Sequence, residues 1–452
     1  MSAPLLAAAL AATLPALLAY NPPPSPTFLN QALALALWGV FAAFASGPWR
    51  AARPAWPLGL ALGGVMLGVL WSWGPGALPA SLALSALGLL AASAVMVVAG
   101  ASARATSKAP ALFAAFCWGW VIAGGASLAI AAVQVFAPAW PDGTWLARSG
   151  LPGRAVGNLR QPNHLSSLLM WSALAVVALR QMGAWRPRPA ALMFAALMAG
   201  VVMTASRTGL VSVLLLAAWG ALDRSLARDV RRLLLAAPLL YGLAWAGLWA
   251  WAHLGGATFG GEARLQETDI SSSRFGIWAN TLALIARQPW TGVGFGEFNL
   301  AWSMTPFPGR PTAFFDHAHN LPLHLLAELG LPLGGAVLAA LLWALWRAWQ
   351  PAPPPGLADL PAPLQRGAAM FVLMIGLHSL LEYPLWYAYF LLPLAWVWGL
   401  ALGRGQASTA VPRARPALAV AAVLVALAAV ADYQRVVRIF EAPAGAAPLA
   451  QR

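Results

Sequence analysis

Asp316-His317-Ala318-His319-Asn320-Leu321-Pro322-Leu323-His324 leads directly into an apolar run over 325–346 in which Glu328 is the one charged residue. Four of the nine residues in the first stretch titrate, and the run behind it has the length of about 20 residues that a helix needs to cross a bilayer. A polar edge followed at once by a span is therefore the unit from which to read the chain. Ionisable groups at such an edge are costly unless something uses them, and histidine is the side chain whose proton moves easily near neutral pH.

Outward from this junction the same pattern repeats. The 452 residues are 60% hydrophobic and 9% charged, with mean hydropathy +0.71. Soluble domains carry about 25% charged residues, so the composition describes an integral membrane protein. Dyad alternation, the mark of a membrane barrel, is absent from the sequence. The expected fold is all-α and polytopic, with about 12–13 transmembrane helices. Spans are expected at 1–20, 29–46, 57–74, 81–99, 110–137, 163–180, 189–204, 209–222, 233–253, 325–346, 367–381, 388–402 and 416–431. Residues 1–20 have no positive n-region and a poor cleavage site, which favours a first span over a removed leader. The organisation is then N-terminal helices over 1–137, a loop over 138–162 and central helices over 163–253. A large loop over 254–321, C-terminal helices over 322–431 and a short tail over 432–452 complete it.

Orientation follows from the basic residues, 26 of 27 of which are arginine. One side of the expected topology holds 16 of the 27, mostly in short loops, and is expected to be cytoplasmic. The loops 138–162 and 254–321 then face outward, as does Asp316–His324. The net charge of +14 is scattered between spans without a basic tract, so nucleic acid is not an expected partner. The single cysteine, Cys117, lies in an apolar run and reads as a packed core thiol.

The arginines of the outward side oppose the topological trend. Arg148, Arg154 and Arg160 lie in the first large loop, Arg207 in the tight Thr204-Ala205-Ser206-Arg207-Thr208-Gly209 connection, and Arg264, Arg274, Arg287 and Arg310 in the second. A guanidinium fork suits phosphate oxygens and stays charged where water is scarce, so an anionic ligand such as a lipid diphosphate is one reading. Snorkelling to headgroups is the other. Arg207 favours the ligand, because its loop is too short to leave the bilayer. Arg148, Arg264 and Arg310 are expected to be solvated. His317 and His319 could contribute to a zinc site, but no HExxH-like carboxylate arrangement accompanies them and no metal is expected. His319 precedes a helix and is placed either to act as a general base toward a hydroxyl or to bond loop carbonyls. His324 and Glu328, at i and i+4, share a helix face. Gly292-Val293-Gly294-Phe295-Gly296 fits neither phosphate-loop fingerprint and is expected to be a turn packing against the membrane.

Five blocks in this order carry a resemblance: Gly157-Asn158-Leu159-Arg160-Gln161-Pro162-Asn163-His164-Leu165, Ser206-Arg207-Thr208-Gly209, Gly292 to Phe298, His319-Asn320-Leu321-Pro322 through Gly330, and His378 to Tyr387. Together they resemble the O-antigen ligase / O-antigen polymerase superfamily of bacterial inner-membrane glycosyltransferases, and most of all its protein O-oligosaccharyltransferase branch. The resemblance implies a GT-C-like membrane fold and an inverting, metal-independent transfer needing no cofactor. The donor would be a glycan on undecaprenyl diphosphate, used on the periplasmic side of the inner membrane amid membrane lipids. By position it implies that His319 is the base and that Arg160, Arg207 and Arg274 contact the diphosphate. Arg154, Gln161, Asn163, His164, His317, Asn320, Glu382 and Tyr383 would be neighbours of the site. The protein-glycosylating branch usually carries a sizeable periplasmic domain after the last span, whereas Asp432–Arg452 is short. The acceptor is therefore left open between a Ser/Thr of an exported protein and lipid A–core, with a chain polymerase less expected. A non-enzymatic lipid-glycan transporter is the rival class. It would need polar residues along a path through the bilayer, and the spans offer few.

Overall fold

A computed structural model describes residues 2–266, 269–308, 315–350, 360–404 and 415–441, with 266 and 269–273 described by backbone alone. Arg310 and Arg413 lie outside the described residues. The described residues are helical, with turns and loops and no strand. In chain order the helices are α1 (Ala3–Leu17), α2 (Phe28–Phe44), α3 (Trp56–Trp73), α4 (Ala80–Arg104), α5 (Ala109–Phe136), α6 (Pro162–Gln181), α7 (Pro187–Thr204), α8 (Arg207–Leu222) and α9 (Arg228–Leu235). They continue as α10 (Ala237–Gly255), α11 (Gly260–Gln266), α12 (Asp269–Arg287), α13 (Phe298–Met304), α14 (Leu321–Trp349), α15 (Ala362–Ser379), α16 (Ala388–Leu402) and α17 (Pro416–Phe440).

Every expected span coincides with a helix. Among the described residues 8 are long and apolar enough to cross a membrane, counting α9 and α10 as one, and α1, α2, α8 and α16 are shorter apolar helices. The all-α polytopic fold is thus the fold observed. Two boundaries differ from expectation. Residues 254–321 hold three helices, α11, α12 and α13, among their described residues. The last helix also runs nine residues past 431, into the expected tail. There Tyr433 stacks on Phe28 at 3.8 Å and donates to the Pro22 carbonyl at 2.9 Å, so the extra turns have a partner.

The centre of the molecule is α6, buried from His164 to Leu179. A helix apolar all round belongs inside other helices, and α5, α7 and α15 surround it. Two of its polar groups are satisfied by neighbouring helices: Trp171 Nε1 donates to Phe371 O at 3.0 Å, and Ser172 Oγ to Trp120 O at 2.7 Å. By contrast α17 is the most peripheral candidate span, packed mainly on α2. At the end of the bundle away from Asp316–His324, arginines staple the helices. Arg104, 1% exposed, donates to Gln365 Oε1 at 3.0 Å and to Leu400 O at 3.3 Å, and Arg366 pairs with Asp223 at 2.7 Å.

Candidate active site

Three helices begin in the same way at one end of the bundle. Arg160 (φ 59°) precedes the Gln161 cap of α6, Ala205 (φ 50°) the Ser206 cap of α8, and His319 (φ 51°) the Asn320 cap of α14. Each cap side chain accepts a backbone N–H three residues on: Gln161 from His164 at 2.7 Å, Ser206 from Gly209 at 3.1 Å, Asn320 from Leu323 at 3.0 Å. These three are the non-glycine residues with positive φ among the described residues. A left-handed residue costs about 1–2 kcal/mol, and such strain gathers where function requires it. The local device turns the chain sharply into the helix, so that the residue before each cap stands at the helix mouth.

The three mouths meet around one carboxylate. Glu382 lies just past α15 and is 8% exposed. Its Oε1 accepts from Arg274 at 2.5 Å and from Asn163 Nδ2 at 3.0 Å, and its Oε2 lies 3.6 Å from His319 Nε2. Asn163, in the first turn of α6, accepts from Ser206 Oγ at 2.7 Å, which ties α6 to α8. Asn320 Nδ2 donates to Leu380 O at 3.1 Å, which ties α14 to the Glu382 segment. Helix N-termini carry partial positive charge and unpaired N–H groups. With Arg274 they make this a site for an anion, and Glu382 is the anion the chain itself places there.

His319 Nδ1 lies 3.0 Å from the His317 carbonyl oxygen, which can only accept, so Nδ1 donates there and Nε2 is the ring nitrogen left facing Glu382. A base with its other nitrogen pinned in this way is oriented for proton abstraction.

The expected site residues therefore divide. Asn163, Arg274 and His319 each meet Glu382, and Tyr383 sets its ring edge-on to His319 at 5.0 Å. Arg207 is one residue from Ser206, but its side chain is exposed and reaches the Arg264 carbonyl at 3.4 Å. Arg160 turns away, its guanidinium donating to Ala19 O at 2.8 Å and Gly143 O at 3.0 Å. Arg154 is buried and bonds Thr204 O at 3.1 Å, while Gln161 serves as the α6 cap. His164 lies inside the bundle, 3.0 Å from Tyr389 Oη. Ser206 was quoted only as part of a motif; its pairing with Asn163 is across 43 residues, and a cap-forming serine is the local signal that points to it.

Beyond Tyr383 lies a second polar cluster. His317 stacks on Tyr383 at 4.2 Å and on His324 at 5.2 Å, and its Nδ1 lies 2.8 Å from Asp316. Burial lowers the His317 pKa against the pull of Asp316, and the hydrogen bond from His317 holds Asp316 below the usual carboxylate range. Burial, with Asp316 and Glu382 nearby, raises Tyr383. His324 accepts from Ala318 N at 3.3 Å and faces Glu328 at 3.4 Å, both residues nearly fully buried. This cluster closes one end of a cleft of about 450 Å³ between α3, α4, α14 and α16, whose other walls are almost wholly apolar.

Glu328 is held by a break in α14. Pro332 has no N–H to offer the Glu328 carbonyl, and Gly330 adopts φ 74°, ψ 169°. The freed groups are taken up by the glycine-rich segment: Val293 N donates to Ala327 O at 2.8 Å, Gly294 N to Glu328 O at 3.1 Å, and Leu331 N to Pro289 O at 2.7 Å. The expected turn against the membrane is instead a clip in the α14 break. No side chain fits there, since a Cβ on Gly292 would lie 2.5 Å from the Glu328 carbonyl and one on Gly330 2.4 Å from Trp290 O.

Three family models match parts of the chain. A family model described as O-antigen ligase matches residues 191–338, which hold Arg207, Arg274 and His319. A protein glycosylation ligase model matches 155–179, with Asn163, and a model for the C-terminal part of a virulence factor membrane-bound polymerase matches 368–450, with Glu382. By these partial matches the chain is similar to the O-antigen ligase family. It is also similar to O-oligosaccharyltransferases. It is 32% identical over 148 residues to a general O-oligosaccharyltransferase of Acinetobacter baylyi, covering 32% of this chain and 24% of the relative. It is 26% identical over 270 residues to a ComP-specific O-oligosaccharyltransferase of the same organism, covering 56% of this chain and 45% of that relative. The chain thus matches under half the length of either. The residues around Glu382 lie in regions matched by all three models.

Proposed function

We propose that this protein is a glycosyltransferase that moves a glycan from undecaprenyl diphosphate to an acceptor hydroxyl, at the periplasmic face of the inner membrane. The observation that carries the reading is the convergence of Arg274, His319 and three helix N-termini on one small site. A departing diphosphate needs its developing charge stabilised, and preorganised cations and helix ends do this where water is scarce. Arg274 is within the site, and Arg207, exposed at the mouth of α8, can swing onto phosphate oxygens. His319 Nε2 takes the acceptor proton as the acceptor oxygen bonds to the anomeric carbon. The carbon–oxygen bond to the diphosphate breaks and its electron pair leaves with the phosphate. Attack opposite the leaving group inverts the anomeric centre. Cations here supply the electrophilic help that a metal ion gives elsewhere.

The two curated relatives favour a Ser or Thr of an exported protein as acceptor, and the O-antigen ligase model favours the alternative, lipid A–core. The deciding assay uses the purified full chain, a polyprenyl-diphosphate-linked oligosaccharide and either an acceptor protein or lipid A–core, with a chelator present. Glycan should appear on one acceptor. Transport of the donor across vesicles without transfer to either acceptor would overturn the enzymatic reading.

A further inference from the structure

Glu382 occupies the spot where the proposed reaction needs a phosphate. Two of its partners are also assigned to reactants, Arg274 to the diphosphate and His319 to the acceptor proton, and the third, Asn163, lies in the first turn of α6. The carboxylate is nearly enclosed, and it belongs to a short connection between α15 and the turn Pro384–Trp386 rather than to a helix. An enclosed guanidinium facing three helix N-termini with no counter-charge would be costly, because a buried charge is stabilised only when paired. Yet a diphosphate and a carboxylate cannot both sit on the same Arg274 nitrogens without repelling each other.

From this we infer that Glu382 is a built-in counter-anion: it neutralises the site while the donor is absent, and the donor diphosphate displaces it from Arg274. The inference rests on the diphosphate reading of the site. After displacement Oε2 is still beside His319, where it stabilises the imidazolium formed when His319 takes the acceptor proton, much as a carboxylate orients and stabilises a catalytic histidine elsewhere. Glu382 is thus a positioning residue with two opposed effects. Its charge weakens donor binding and strengthens the base. The same competition gives selectivity, since an anion with several charges and forked oxygens displaces a carboxylate more readily than a singly charged one does.

The test exploits that opposition. The full chain in detergent is titrated with inorganic pyrophosphate and with farnesyl diphosphate, as wild type, Glu382→Gln and Arg274→Ala, and transfer is measured on the same preparations. Glu382→Gln should bind both ligands at least about tenfold more tightly, since a like charge has been removed from the contact. It should also transfer glycan at least about tenfold more slowly. A carboxylate that only maintained structure would lower binding and transfer together. Equal or weaker binding by Glu382→Gln, with binding lost in Arg274→Ala, overturns the counter-anion and leaves the diphosphate reading standing. No binding by wild type or Glu382→Gln overturns both. Should Glu382→Gln fail to fold, Glu382→Asp keeps the charge but draws it back from Arg274, and tighter binding is again the supporting result and unchanged binding the overturning one.

Discussion

Two polar clusters face each other across the ring of Tyr383, and they differ in sign. On one side Arg274, Asn163, His319 and the mouths of α6, α8 and α14 surround a single carboxylate. On the other, Asp316 and Glu328 flank the stacked rings of His317 and His324, and neither arginine nor lysine lines the adjoining cleft. Both draw histidines from the same short stretch of sequence, yet only the first brings an arginine to the carboxylate. The difference comes from what the rest of the chain brings up. α12 and the segment after α15 supply Arg274 and Glu382 to His319, whereas His317 and His324 meet α14, Phe298 of α13 and the Tyr383–Trp386 segment. Charge at the site is thus set by long-range packing, and the two histidines at 317 and 319 part company although they are two residues apart.

The largest expected effect separates them directly. His319→Ala should lower transfer about 10²- to 10⁴-fold, the usual contribution of a general base. His317→Ala should lower it far less, since His317 offers its carbonyl, not its ring, to His319. Initial rates of transfer on correctly inserted protein are the measurement. Equal losses in the two variants would sink the division between the clusters.

Next in size is the clip that holds the second cluster. Gly330→Ala puts a side chain at φ 74° and against the Trp290 carbonyl, and Gly292→Ala meets Glu328. Either should cost about 1–3 kcal/mol from backbone strain alone, read as a drop in melting temperature. If both variants melt like wild type, the break in α14 is not held by this segment.

How much of this was legible in the chain follows from the same contrast. Apolar helices are local, so hydropathy located a helix at every expected span, and Asn320-Leu321-Pro322 marked the start of α14 by capping chemistry alone. The burial of α6 was not legible, because an apolar run reads alike whether lipid or protein surrounds it. The role of Glu382 was not legible either. A carboxylate after a helix is unremarkable until Arg274, 108 residues away, is known to lie against it. Family position grouped Arg160 with Arg207 and Arg274, but its left-handed backbone directs the guanidinium to the carbonyls of Ala19 and Gly143. The glycine-rich segment was misplaced for a related reason: its partner is a helix break that only Gly330 and Pro332 acting together create.

Ser206→Ala is expected to have a smaller effect, about 1 kcal/mol, since it removes the cap of α8 and the bond to Asn163. Its signature is that Ser206→Thr restores stability while Ser206→Ala does not. A loss of transfer without a loss of stability would instead assign the hydroxyl to the reaction.

The shallowest effect should be the pH dependence of the second cluster. The folded pKa of His317 is lowered by burial, with Asp316, His324, Glu328 and Tyr383 the titratable groups that face it. Above its unfolded value of about 6.5 the ring is neutral in both states and contributes no slope. As pH falls through that value the unfolded chain takes up a proton that the folded chain resists, so stability declines. Asp316, also lowered, adds to the loss only at the lower pH where carboxylates titrate. Melting temperatures from pH 7.5 to 5.5 should therefore fall more steeply for wild type than for His317→Asn, which keeps a polar side chain but no proton to gain. If His317→Asn loses stability toward acid as steeply as wild type, the burial of His317 is not what sets that slope.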